Sequence, residues 1–148
     1  MIVLGIGCDR NTPYATLAQA IDEALAQLHA GWQDVQAVAS IDLKADEGAM
    51  QELQRVRGHR IHFYTAAQLA QVPVPNPSET VRKYTGTPSV SEAAALLVAG
   101  AVMQPGTETG NPAPAPMTAL RIEKHKLRGP DGRNATVSVA HTGDMNQP

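Results

Sequence analysis

The chain has 148 residues, 43% of them hydrophobic and 3% aromatic, with a formal net charge of -2. That size and apolar content suit one ordinary domain burying roughly 70% of its unfolded surface, while the scarcity of aromatic rings and of basic runs excludes nucleic acid as the main partner. No apolar run approaches the ~20 residues that cross a bilayer, so no membrane role is expected, and the single Cys8 precludes an internal disulfide and fits a reducing, cytoplasmic compartment.

"IVLGIGC" opens the chain without the basic flank or cleavage pattern of a signal peptide, and reads as a central strand covered on both faces. Thr12-Pro13 supply an N-cap and first-turn pair for a helix whose Leu17, Ile21, Ala24, Leu25 and Leu28 share one face and which Gly31 should stop. "DVQAVASI" is a second strand, Asp46 is placed to cap a helix lined by Met50, Leu53 and Val56, and "RIHFYT" is a third strand. Thr65 and Gln68 form a capping box over a short helix ending near Val72. Two more helix starts follow, at Ser78 after Pro77 and at the capping box Ser89-Val90-Ser91-Glu92 after Pro88. Residues 104–117, "QPGTETGNPAPAPM", have no apolar period and read as a flexible surface loop. "ALRIEKHKL" and "NATVSVA" around "RGPDGR" read as a β-hairpin that extends the sheet by antiparallel pairing, and the tail 142–148 should fray. The expected fold is a single α/β domain over 1–148, three-layer α/β/α, its mainly parallel sheet made mixed by the C-terminal hairpin.

In such a sheet, loops after the strands and the starts of the helices share the carboxyl edge, where ligands bind. "GIGCDRNTP" places two glycines there, but Arg10 stands where a dinucleotide fingerprint needs its third glycine, which argues against a Rossmann site. Gly7 leaves a glycine turn, with Cys8 either a small buried side chain or part of a site, and Arg10 either a solvated surface charge or a two-pronged clamp for a carboxylate. "SIDLKADEG" brings Asp42, Lys44, Asp46 and Glu47 to the same edge. Asp46 and Glu47 are read first as favouring a helix N-terminus, whereas Asp42 and Lys44 have no such structural role and could serve acid–base chemistry. His29, His59, His62, His125 and His141 show no paired ligand spacing, so no metal site is expected, and no cofactor motif is present. The helix starts at Ser78 and Ser89 offer N–H groups and positive dipole ends suited to a ligand carrying several carboxylates.

The succession "GIGC", "ASIDLKADE", "VPNPSE", "GTPSVSEAAAL" and "NATVSVA" resembles the CobE proteins of aerobic cobalamin (vitamin B12) biosynthesis, themselves similar to the C-terminal domain of CbiG, the cobalt-precorrin-5A hydrolase of the anaerobic pathway. The resemblance runs from Gly5 to about Ala140. It implies a protein that binds a precorrin, a tetrapyrrole with many carboxylates, and holds or delivers it between pathway enzymes, which would be further partners. The ligand contacts it implies are Gly5, Gly7, Cys8, Arg10, Lys44, Asn76, Ser78, Gly86, Thr87, Ser89, Glu92 and Lys124. The alternative it leaves open is a hydrolase or lyase that opens a lactone and expels a two-carbon fragment, with Asp42 or Glu47 as base and Lys44 stabilising the developing charge. The chain is too short to hold the other domain of CbiG as well. On the binding reading, removing Arg10 or Lys44 should weaken polyacid binding by ~1 to 3 kcal/mol and leave folding nearly unchanged.

Overall fold

Strand β1 (Ile2–Cys8) sends side chains alternately to two faces. The computed structural model, which describes residues 1–75, 89–104 and 113–142, buries both of them. Leu4 and Ile6 enter a core shared with helices α1 (Tyr14–Gln27) and α2 (Gly48–Arg57). Val3 enters a second core, with α3 (Ala66–Ala70) and α4 (Val90–Met103). The sheet is completed by β2 (Val35–Ile41), β3 (Ile61–Tyr64), β4 (Leu120–Arg128) and β5 (Asn134–His141), in the order β3-β2-β1-β5-β4. β1, β2 and β3 are parallel, and β5 lies antiparallel to both β1 and β4. This is the expected α/β fold in three layers, with the C-terminal hairpin making the sheet mixed.

Gly5 and Gly7 fall on the α4 side of β1, where side chains would obstruct the helix. A Cβ on Gly5 would stand 2.0 Å from the Ser91 carbonyl oxygen and 2.5 Å from the Ala95 nitrogen. α4 therefore lies directly on the strand backbone, and its alanine-rich sequence, buried on every side from Ser91 to Ala101, matches that position. Its far side is crossed by residues 113–115: Ala115 donates its N–H to the Leu96 carbonyl at 2.9 Å, and a Cβ on Gly100 would meet the Ala113 oxygen at 1.8 Å. Of the loop expected at 104–117, residues 105–112 lie outside the described residues, as do 143–148 of the expected frayed tail.

Several local expectations are corrected. Pro13, not Thr12, is the N-cap of α1, because the Thr12 hydroxyl donates backward to the Asp9 carbonyl at 2.7 Å. α1 is stopped by His29 rather than Gly31: His29 adopts the left-handed conformation (φ 52°), Ala30 N–H reaches the Leu25 carbonyl, and His29 N–H reaches that of Ala26, which is a Schellman cap. α2 begins after Glu47, so Asp46 does not cap it, and Val56 is 46% exposed while Met50 and Leu53 are buried. The capping box at Thr65 and Gln68 forms as expected. The one at Ser89 does not: its hydroxyl makes no cap hydrogen bond.

Candidate functional site at the carboxyl edge of the sheet

The loop leaving β1 is braced on the start of β5. Asp9 N–H donates to the Asn134 carbonyl at 2.9 Å, while Asn134 N–H and Nδ2 both donate to Asp9 Oδ2, at 2.8 and 3.0 Å. Arg133 Nε donates to the Arg10 carbonyl at 3.0 Å, and its Nη1 is held by Asp131 at 3.0 Å. Asn11 then turns the chain with a positive φ of 65°, a conformation Asn tolerates better than most residues. Arg10 is thus presented from a fixed backbone.

Its side chain meets the turn after β2. Residues 42–44 form a single 3-10 turn, closed by Ala45 N–H on the Asp42 carbonyl, and Glu47 N–H bonds the Lys44 carbonyl. That winding sends the Glu47 carboxylate inward, where it is only 3% exposed. Glu47 Oε1 accepts from Asn11 N–H at 3.0 Å and Oε2 stands 2.8 Å from Arg10 Nη1, which also reaches Asp46 at 3.4 Å. Glu47 is the N-cap residue of α2, as expected, its carbonyl taking the Gln51 N–H at 3.1 Å, but its side chain makes no cap hydrogen bond and ties the two post-strand loops together. The Arg10 guanidinium stays 56% exposed. Taking Arg10 away would strand a buried charge, so the expectation that Arg10→Ala leaves folding nearly unchanged is revised to a loss of about 1 to 3 kcal/mol, below the range for fully buried pairs because of that exposure.

Lys44 is half-buried and Asp42 is exposed, both on this edge. Burial pushes the Cys8 thiol up to about 11, against the pull of the Lys44 charge and a Thr12 hydrogen bond and with the push of Glu47 and Asp9. Cys8 is therefore a neutral thiol at physiological pH, on the α1 side of the strand. Gly7 faces the start of α4, with Val90 and the Thr136 hydroxyl beside its Cα.

Ser89, at that helix start, is 1% exposed, and its Oγ has no hydrogen-bond partner among the described residues. Glu92, one turn on, is wholly buried. Gly5 lies beneath α4, where it serves packing. Lys124 sits away from the strand ends: the β4–β5 register advances from Ile122↔Val139 to His125↔Val137, so Glu123 and Lys124 together oppose Ser138, a β-bulge level with Gly5. Asn76, Ser78, Gly86 and Thr87 lie outside the described residues.

The structure thus brings together Cys8, Arg10, Lys44 and Glu47, leaves Asp42 exposed in the same turn as Lys44, turns Gly7 toward the start of α4 where Ser89 lies, and separates Gly5 and Lys124 from the group. Asp9, Asn11, Arg133 and Asn134 were missed. For Asn11 a signal existed, since Asn in a short strand-to-helix joint favours left-handed backbone; for the contacts of Asn134 with Asp9, 125 residues apart in sequence, none did. Among the described residues no three His, Cys, Asp or Glu side chains gather into a metal-holding group, and no helix is long and apolar enough to cross a membrane.

The family described as cobalamin synthesis G C-terminus matches residues 2–140. A cobalt-precorrin-5A hydrolase of Priestia megaterium is 37% identical over 101 residues, which cover 68% of this chain and 27% of that protein. Protein CobE of a Sinorhizobium species is 39% identical over 101 residues, 67% of this chain and 66% of that protein. The chain thus spans about a quarter of the first relative and just under two thirds of the second. The crystal structure of CobE, a protein from the cobalamin (vitamin B12) biosynthetic pathway, superposes with a TM-score of 0.72 at 26% identity, covering 96% of this chain and 95% of that one.

Proposed function

The chain belongs to the cobalamin synthesis G C-terminus family, and on that premise we propose that it binds a precorrin intermediate and holds or delivers it between the enzymes of the cobalamin pathway, in the cytoplasm. The observation that carries this reading is the Arg10 guanidinium, fixed by Glu47 yet 56% exposed, on the same sheet edge as Lys44. A peripheral acetate or propionate of a tetrapyrrole is the kind of group such cations hold, and charge-assisted bonds of this type contribute about 1.5 to 3 kcal/mol each.

Binding is favoured over hydrolysis by the state of the groups nearby. Cys8 is held as a thiol with a pKa of about 11, too high for a ready nucleophile. Glu47, the candidate base, has Oε1 taken by the Asn11 N–H and Oε2 in ion-pair contact with Arg10, without hydrogen-bond geometry, and that cation disfavours its taking up a proton. Asp42 and Lys44 alone form no nucleophile–base pair. Single-turnover incubation with a purified precorrin separates the two classes: a shifted absorption spectrum with unchanged mass is the expected outcome, and a changed mass would replace binding with catalysis.

A further inference from the structure

Arg10 and Glu47 make an arrangement that a surface salt bridge does not need. The carboxylate is 3% exposed, it accepts the Asn11 N–H next along the chain from Arg10, and the Arg10 carbonyl is separately held by Arg133 Nε. The main chain at Arg10 and Asn11 is thus held by two hydrogen bonds, and the Arg10 side chain by its ion pair with Glu47 and a longer hydrogen bond to Asp46. Only Nη1 takes part, on Glu47 at 2.8 Å and Asp46 at 3.4 Å; Nε and Nη2 have no partner among the described residues. Those two nitrogens form one side of the guanidinium fork and match the two oxygens of a carboxylate. Burying Glu47 carries a desolvation cost that an apolar residue at 47 would avoid. Retaining the charge there suits a guanidinium that must be held in one orientation before its ligand arrives, since prepaid ordering raises affinity.

We infer that Glu47 is a positioning residue, which fixes Arg10 so that Nε and Nη2 grip a ligand carboxylate side-on. The inference rests on the binding reading above for the identity of that ligand, but not for the geometry of the grip. Two views of Glu47 differ in sign. If it merely neutralises Arg10, then Glu47→Gln removes a negative charge and should tighten the binding of an anion. If it positions Arg10, the same isosteric change should loosen the guanidinium and weaken binding.

The test uses the intact ¹⁵N-labelled chain with glutarate as the carboxylate probe. In the wild type we expect a persistent Arg10 Nε–H resonance that shifts on glutarate addition. In Glu47→Gln that resonance should broaden in the free protein, and glutarate affinity should fall by about tenfold, the equivalent of one charge-assisted bond. Equal or tighter glutarate binding by a folded Glu47→Gln overturns the inference, as does a wild-type Arg10 resonance indifferent to glutarate. Should Glu47→Gln fail to fold, Arg10→Lys decides the matter, because it keeps the charge beside Glu47 and loses the fork: undiminished glutarate binding overturns the proposal, and a similar tenfold loss supports it. Titration with a purified precorrin distinguishes the two readings. A wild type that engages glutarate through Arg10 and ignores the precorrin sinks the tetrapyrrole reading and leaves the positioned fork standing.

Discussion

Two glycines of this chain look alike in sequence and have opposite roles. Gly5 has no room for a methyl group, since the atoms a Cβ would meet are backbone atoms of α4 that cannot turn aside. Gly48, the first residue of α2, has nothing within 4 Å of the same position. Gly5→Ala should therefore cost about 1 to 3 kcal/mol through overpacking, whereas Gly48→Ala should be neutral or stabilise by up to about 1 kcal/mol through helix propensity. Thermal melts of both variants check this, and equal melting temperatures would show that α4 can lift off the strand at no cost. Cys8 gives a second expectation. Its folded pKa of about 11 lies above the ordinary thiol value of 9.0, so the native state keeps its proton longer than the unfolded chain does. Its contribution to stability is then fully present below pH ~9 and is lost as pH rises toward ~11. Iodoacetamide should alkylate native Cys8 slowly near neutrality, with a rate still climbing beyond pH 9. A rate that levels off below pH 9 would mean that burial does not govern this thiol.

At the scale of elements, periodicity carried most of the fold and side-chain reach carried little of it. The nearly continuous apolar run "IVLGIGC", the Leu17–Ile21–Ala24–Leu25 stripe and the Thr65–Gln68 box were legible because each depends on neighbours a few residues away. The same holds for the hairpin around "RGPDGR". His29 as the stop of α1 was not legible, because a left-handed histidine wins only when Ala30 can reach the Leu25 carbonyl and pack behind it. Nor was the inward turn of Glu47, which depends on a partner 36 residues earlier. The link between α1 and β4 is of this second kind: His125 Nε2 lies 2.8 Å from Glu23 Oε1, and its Nδ1 lies 3.2 Å from Gln27. The His125 hydrogen bond, helped by Gln19, holds the Glu23 carboxyl below its ordinary range. A depressed carboxyl pKa gives stability that is present above the unfolded value and lost as pH falls through the folded one. Glu23→Gln should accordingly flatten the acid limb of a stability–pH curve below about pH 4.5, and in a His125→Ala background the same change should do less, leaving only the Gln19 contribution to lose. Additive losses in the double variant would show that the two side chains do not work as a pair.

For the whole molecule, the net charge of -2 means that a polyanion gains nothing from the overall field, so any attraction must come from where the cations stand. Arg10 and Lys44 stand at the carboxyl edge, while Arg57 and Arg60 precede β3 and so stand at the amino edge. A seven-residue strand such as β2 separates the two edges by roughly 23 Å at about 3.3 Å per residue, more than twice the ~8 to 10 Å over which salt screens charges at physiological strength. The two edges should therefore act independently on a bound polyacid. Lys44→Ala should weaken precorrin binding by ~1 to 3 kcal/mol and make the remaining affinity less sensitive to salt, because one ion-pairing contact has gone. Arg60→Ala, which also removes one positive charge, should change affinity by less than about 0.5 kcal/mol. Neither change should lower the melting temperature appreciably, since neither side chain has a hydrogen bond or ion pair in the described structure, unlike Arg10 with its buried carboxylate. Spectroscopic titrations at low and physiological salt, run beside thermal melts, decide the point. Equal losses from Lys44→Ala and Arg60→Ala would mean that net charge rather than the carboxyl edge attracts the ligand, and an affinity indifferent to salt would mean that its carboxylates are not what the protein holds.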